Sequence, residues 1–141
     1  MEIKKRTAVC VIDGQGGGIG SVIIKKLKER FGERIEILAL GTNAIATAQM
    51  LKARANKGAS GSNAIAWTTR RADVIIGPVG IIIPNAMMGE VTPVMAQAVS
   101  ESPAKKILLP LTQDNLEIVG TTGLPLPEMV DELLDKNLSF L

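Results

Sequence analysis

Four apolar, β-branched runs punctuate the chain at Ala8–Ile12, Ile35–Leu40, Asp73–Ile76 and Ile107–Leu109, separated by longer segments in which apolar residues recur with helical period. Unbroken apolar strands of this kind suit a parallel sheet covered on both faces. Leu116–Val119 forms a weaker fifth run. Between the first two runs, Ile19, Val22, Ile23, Leu27 and Phe31 keep helical spacing, and Gly32 stands where a helix-ending glycine belongs, so the chain opens with a βαβ unit. Thr42 or Asn43 is expected to cap a second helix running through AIATAQMLKARA to the glycines at Gly58 and Gly61. Asn63 to Arg71 predicts a further short helix. Thr92 followed by Pro93 opens VMAQAVSE, and Pro127 opens EMVDELLDKN.

With right-handed crossovers this succession predicts an α/β protein: a three-layer α/β/α, Rossmann-like, doubly wound and mostly parallel sheet of about five strands. At 141 residues the chain is long enough to bury a core without disulfides or metals. A single domain over residues 1–141 is expected, with no repeat or linker.

Charge and cysteine content change the picture little. Residues 1–106 hold 15 Lys/Arg against 8 Asp/Glu, whereas residues 107–141 hold 1 against 6. Lys25, Lys26, Lys28 and Arg30 suggest a basic helix face near the acidic C-terminal helix. With no Tyr, one Trp and two Phe there is little to stack on bases, so nucleic acid is not an expected partner. Cys10, alone and inside the first apolar run, fits a reduced cytoplasmic setting as a buried, inert thiol. The apolar stretch of MEIKKRTAVCVIDG ends at Asp13, too short for a signal peptide or a membrane span, and no membrane partner is expected.

The candidate chemistry lies after the first run, in DGQGGGIG, where five of the seven positions 14–20 are glycine. Glycine costs about 0.5–1 kcal/mol relative to alanine in regular structure, so Gly14, Gly16, Gly17, Gly18 and Gly20 need a local return. Free N–H groups and the dipole at a helix start favour an anion, and missing side chains let a pyrophosphate approach the backbone. The other reading is a tight strand-to-helix turn with close helix packing. Gly14, Gly18, Ile19 and Gly20, after a strand and before an amphipathic helix, resemble the cofactor loop of the short-chain dehydrogenases and reductases, which usually carry Thr where this chain has Asp13. That resemblance implies a nucleotide or dinucleotide cofactor and stops near residue 20.

Asp13 has two readings. It bridges a metal such as Mg²⁺, binds a hydroxyl or moves a proton, or else it accepts hydrogen bonds from the N–H groups of its own loop. At the end of the second run, where dinucleotide folds place an acid on the ribose, the chain has Leu40-Gly41-Thr42-Asn43. Thr42 and Asn43 are candidate ribose or phosphate ligands, and equally plain helix caps. Ligands of such sheets lie beyond the carboxyl ends of the strands, which brings in Gly77, Pro78, Gly80, Asn85 and Glu90 after the third run and Pro110, Thr112, Gln113, Asp114 and Asn115 after the fourth. With Gln15, these complete the candidate binding set.

The chain has no His and no Tyr, which removes His-dependent triads, the tyrosine acid of the short-chain reductases and ordinary zinc sites. No protein metal-ligand set is expected. Carboxylate chemistry through Asp13, Glu90 or Asp114, with or without Mg²⁺, or a lysine at no assigned position, is the catalysis left open. Met87, Met88 and Met95 near Ile81–Ile83 suit an adaptable binding surface, a subunit interface or core filling. An Ala-rich second helix and general frequency point to a homo-oligomer, a dimer.

Across its whole length the chain resembles a small bacterial protein family described as a domain of unknown function, on the segments VIDGQGGGIG (11–20), ALGTNAIAT (39–47), IIGPVGI (75–81), NAMMGEVTP (85–93) and NLEIVG (115–120). The resemblance implies no activity. Three functions stay open: a module binding a nucleotide or phosphorylated small molecule at the glycine loop, a carboxylate- or Mg²⁺-dependent enzyme acting on such a ligand, and an interaction protein whose glycines serve packing.

Overall fold

The computed structural model describes residues 5–111, 115–121 and 123–141. Five strands, β1 (Thr7–Asp13), β2 (Ile35–Gly41), β3 (Lys57–Ser60), β4 (Val74–Pro78) and β5 (Lys105–Leu109), form one sheet in the order β3-β2-β1-β4-β5. Every pairing is parallel. Helices α1 (Gly18–Phe31), α2 (Ala44–Lys52), α3 (Ser62–Thr69), α4 (Pro93–Glu101) and α5 (Leu126–Glu132) make the covering layers.

The period-2 alternation of β1 sorts the core into two halves. Val9 and Val11 face α1, α2 and α5 with Ile23, Leu27, Met50 and Val130, while Cys10 and Ile12 face α3 and α4 with Ile65, Met95 and Val99. Burial on both faces explains why the central strands read as continuous apolar runs. Cys10 is fully buried, and that burial, reinforced by the Asp73 and Glu36 charges, pushes its thiol up to about 12. On α1, Lys26 pairs with Asp131 at 2.7 Å and Arg30 with Asp135 at 2.8 Å, joining the basic helix face to the acidic C-terminal segment.

Two expected elements differ. Helix α2 stops at Lys52 instead of reaching Gly58, because Arg54 turns left-handed (φ 84°) and donates its N–H to the Leu51 carbonyl. The chain then re-enters the sheet as β3: the Asn56 N–H donates to the Ile37 carbonyl at 2.9 Å, and the Asn56 side-chain oxygen accepts from the Ile37 N–H at 2.8 Å. The fifth strand is therefore β3 and not Leu116–Val119. That run is exposed, with Val119 at 99%, and it ends at Gly120 with φ 87° in a turn closed by Thr121 on the Ile118 carbonyl. Among the capping expectations, Asn43 and not Thr42 caps α2, accepting from the Ala46 N–H at 2.8 Å, and Thr92 caps α4 through the Met95 N–H at 3.1 Å.

The connections after β1 and β2 run to one side and over one face, and those from β3 to β5 cover the other. Strand order therefore reverses between β1 and β4. At such a switch point the chains leaving the two strand ends diverge and leave a crevice.

Candidate functional site

The loop from Asp13 to Gly18 begins as β1 ends. Asp13 is 3% exposed, and its two carboxylate oxygens accept from the Gly14 N–H at 2.8 Å and the Gly20 N–H at 2.7 Å. The carboxylate thus ties the end of the strand to the first turn of α1. Burial pushes the Asp13 carboxyl above its ordinary value of 3.8, opposed by the Gly20, Gly14 and Ile19 N–H groups and reinforced by the Glu90 charge. The geometry is that of an acid capping its own loop.

Glu90, from the connection after β4, holds the loop from the other side. One of its oxygens accepts from the Gln15 N–H at 2.8 Å, the Thr42 hydroxyl at 2.8 Å and the Asn43 side-chain amide at 2.7 Å. Burial opposes its charge, but those three donors outweigh the cost and hold its carboxyl below the usual 4.5. The Asn43 amide also donates to the Gln15 carbonyl at 3.0 Å. Gln15, at φ 50°, is thereby fixed in a left-handed conformation that a glutamine seldom adopts.

The five glycines separate by what a Cβ would meet. At Gly17 it would stand 2.8 Å from the Ala46 carbonyl oxygen, and φ there is 74°, so a tight turn against α2 requires glycine. At Gly14 it would meet the Thr42 hydroxyl and the Met87 sulfur, and at Gly20 the Met50 sulfur. At Gly16 and Gly18 it would meet nothing within 4 Å among the described residues, and neither residue has positive φ. Internal packing thus accounts for three glycines and, among the described residues, gives no reason for the other two.

Those two face a cleft of about 1150 Å³ at the switch point. One wall is the loop, from Asp13 to Ile19. Opposite it runs the segment from Pro78 to Met88, with Leu111, Asn115 and Leu116 at the third side. Gly16 and Gly18 are exposed to it, and among the described residues their N–H groups have no partner, whereas those of Gly14, Gln15, Gly17 and Gly20 are all engaged. No Lys or Arg lines the cleft among the described residues.

Of the expected site residues, the structure brings Asp13, Gly14, Gln15, Gly16, Gly17, Gly18, Ile19, Pro78, Gly80, Asn85 and Asn115 to this cleft. Gly20 lies behind the loop. Gly77 sits within β4, where a Cβ would strike the Ile12 carbonyl, and Thr42, Asn43 and Glu90 form the knot on the β2 side, outside the cleft lining. Thr112, Gln113 and Asp114 lie outside the described residues. The methionines divide: Met95 is core, Met87 lines the cleft, and Met88 stands at its rim, 95% exposed.

Val79 in the cleft wall was not among the expected site residues, and Ile82 and Ile83 were expected only as neighbours of an adaptable methionine surface. A 3₁₀ turn over Val79–Ile82, bracketed by Pro78 and Pro84, buries Ile81 at 1% exposure while Ile82 and Ile83 line the cleft. The bracketing prolines were the available signal. A smaller hollow of about 580 Å³ lies at the amino ends of the strands. Its Arg6 is paired to Glu33 and Glu36, and its Arg34 bonds the Phe31 and Arg30 carbonyls, so its guanidinium groups are already engaged. Among the described residues no group of three His, Cys, Asp or Glu is placed to hold a metal ion, and no helix is long and apolar enough to cross a membrane.

Sheet order, crossovers and cleft define a Rossmann-like α/β domain with an open switch point. The chain belongs to the family described as domain of unknown function DUF3842, whose model matches residues 8–141. No curated protein matches the sequence. A solved structure titled as a universal stress protein in complex with cAMP is similar at 14% identity, with 75% of this chain and 98% of that chain covered and a TM-score of 0.43. The likeness of the glycine loop to that of the short-chain reductases rests on its sequence spacing alone.

Proposed function

We propose that this protein binds a nucleotide or another phosphorylated small molecule in the switch-point cleft, with the phosphate on the Gly16 and Gly18 N–H groups. The supporting observation is the pair of glycines that no packing contact among the described residues requires. Among the described residues their amides have no partner and their Cβ positions meet nothing, and both line the cleft. Glycine there lets a ligand reach the backbone at the start of a helix. Asp13 and Glu90 serve this site by holding the loop. With both Asp13 oxygens and one Glu90 oxygen committed to loop and knot donors, the arrangement favours binding over carboxylate catalysis.

Thermal unfolding with NAD(H), NADP(H), ATP, GTP, nucleoside mono- and diphosphates, sugar phosphates and inorganic phosphate tests this. Occupancy at a hundredfold excess over Kd adds about 2.7 kcal/mol, a shift of roughly 5–10 °C for a domain of this size. The shift is expected to vanish in Gly16→Ala and Gly18→Ala, which the fold accommodates. No shift with any member of the panel, or a shift undiminished in both variants, overturns the proposal.

A further inference from the structure

The charge and shape of the cleft narrow its ligand further, on the reading that phosphate sits at the loop. The start of α1 offers about half a positive elementary charge, the Asp13 carboxyl in the lining opposes it, and among the described residues no lysine or arginine lines the cleft to add to it. Triphosphate sites elsewhere neutralise their ligand with a lysine, an arginine or a bound magnesium ion. A single phosphate is the load this site is equipped to carry.

The cleft is closed on the β2 side. Glu90 joins Gln15 to Thr42 and Asn43, placing a carboxylate where the second half of a dinucleotide would cross the end of β2. It is open on the β4 side, where Val79, Ile82, Ile83, Met87 and Leu111 make an apolar wall. Thioether and branched aliphatic side chains of this kind suit the face of an aromatic ring. A free phosphate or a small sugar phosphate would leave that wall wet. Asn85 and Asn115 at the cleft's edge supply polar groups for a ring's heteroatoms.

We propose that the cleft takes one heteroaromatic base carrying one phosphate, a nucleoside monophosphate in chemical class, and discriminates against nucleoside triphosphates and dinucleotides without needing a metal ion. The test is titration of the full chain with the four common nucleoside monophosphates, their triphosphates, NAD and inorganic phosphate, with Mg²⁺ or with EDTA, followed by the Gly16 and Gly18 amide resonances. At least one monophosphate is expected to move both resonances and to bind at least about tenfold more tightly than its triphosphate and than NAD, with EDTA making no difference.

Met88→Lys, at a rim position already exposed, is expected to narrow the gap between mono- and triphosphate several-fold by adding the missing cation. A triphosphate or NAD that moves both resonances and binds as tightly as the monophosphate, a requirement for Mg²⁺, or a response to inorganic phosphate alone overturns this inference and leaves the phosphate reading intact. No movement of either resonance with any compound overturns both.

Discussion

Replacing Asp13 by alanine exposes the energetics of the glycine loop. Its carboxylate is 3% exposed and accepts from two buried N–H groups, those of Gly14 and Gly20. Removing it leaves both donors without a partner, and each such orphan costs about 1–3 kcal/mol. Relief from burying a charge offsets part of that loss. The expected net is a destabilisation of about 3 kcal/mol, a large fraction of the 5–15 kcal/mol that holds a typical domain together. Asp13→Asn keeps one acceptor but turns its amide N–H against the second donor, and is expected to fall between alanine and wild type.

Urea unfolding with an unchanged m-value reads these differences directly. Titration supplies a second readout with a definite sign. The folded state holds the Asp13 proton more tightly than the unfolded chain, whose carboxyl titrates near 3.8. Stability contributed by this group therefore falls as pH rises from 3.8 through the folded value, and is regained in acid. Asp13→Asn removes that slope. A loss under about 1 kcal/mol in Asp13→Ala would refute the view that this carboxylate holds the loop, and an unchanged pH slope in Asp13→Asn would refute the upward shift that burial imposes on it.

Two further outcomes follow from the packing. Gly17→Ala meets both a left-handed backbone and the Ala46 carbonyl, and is expected to cost about 2–3 kcal/mol in denaturant unfolding, whereas Gly16→Ala stays within about 0.5 kcal/mol of wild type; equal losses at the two positions would show that Gly16 is structural. Cys10 is buried in β1 with its thiol pushed up to about 12, so a thiol reagent is expected to label it only at the rate of unfolding. Rapid labelling of the native protein would contradict its place in the core.

The layers were legible because the buried strands leave a strong local signature: β1, β2, β4 and β5 each announce themselves by an apolar run. β3 does not. Its sequence Lys-Gly-Ala-Ser favours no strand, and its place is fixed by pairing with β2, from Leu38 opposite Lys57 to Gly41 opposite Ser60, and by the Asn56 side chain. Leu116–Val119 shows the converse, a β-prone run left on the surface, since propensity acts only where a neighbouring strand receives it. At the site, the glycine motif was readable because strand, loop and helix are contiguous. Which glycines are structural was not, because Ala46, Thr42, Met87 and Met50 decide it from elsewhere in the chain.

The Glu90 knot also orders events in time. Glu90 lies 75 residues from Gln15 and 48 from Thr42. An early βαβ nucleus of β1, α1 and β2 can assemble from local contacts, but its loop remains untied until the connection after β4 docks, and closing contacts over such separations is the slow part of folding. The cleft is accordingly expected to be completed late in folding. A ligand that recognises only the finished loop leaves the refolding rate unchanged and expresses its stabilisation as slower unfolding, so occupancy lengthens the lifetime of the folded chain.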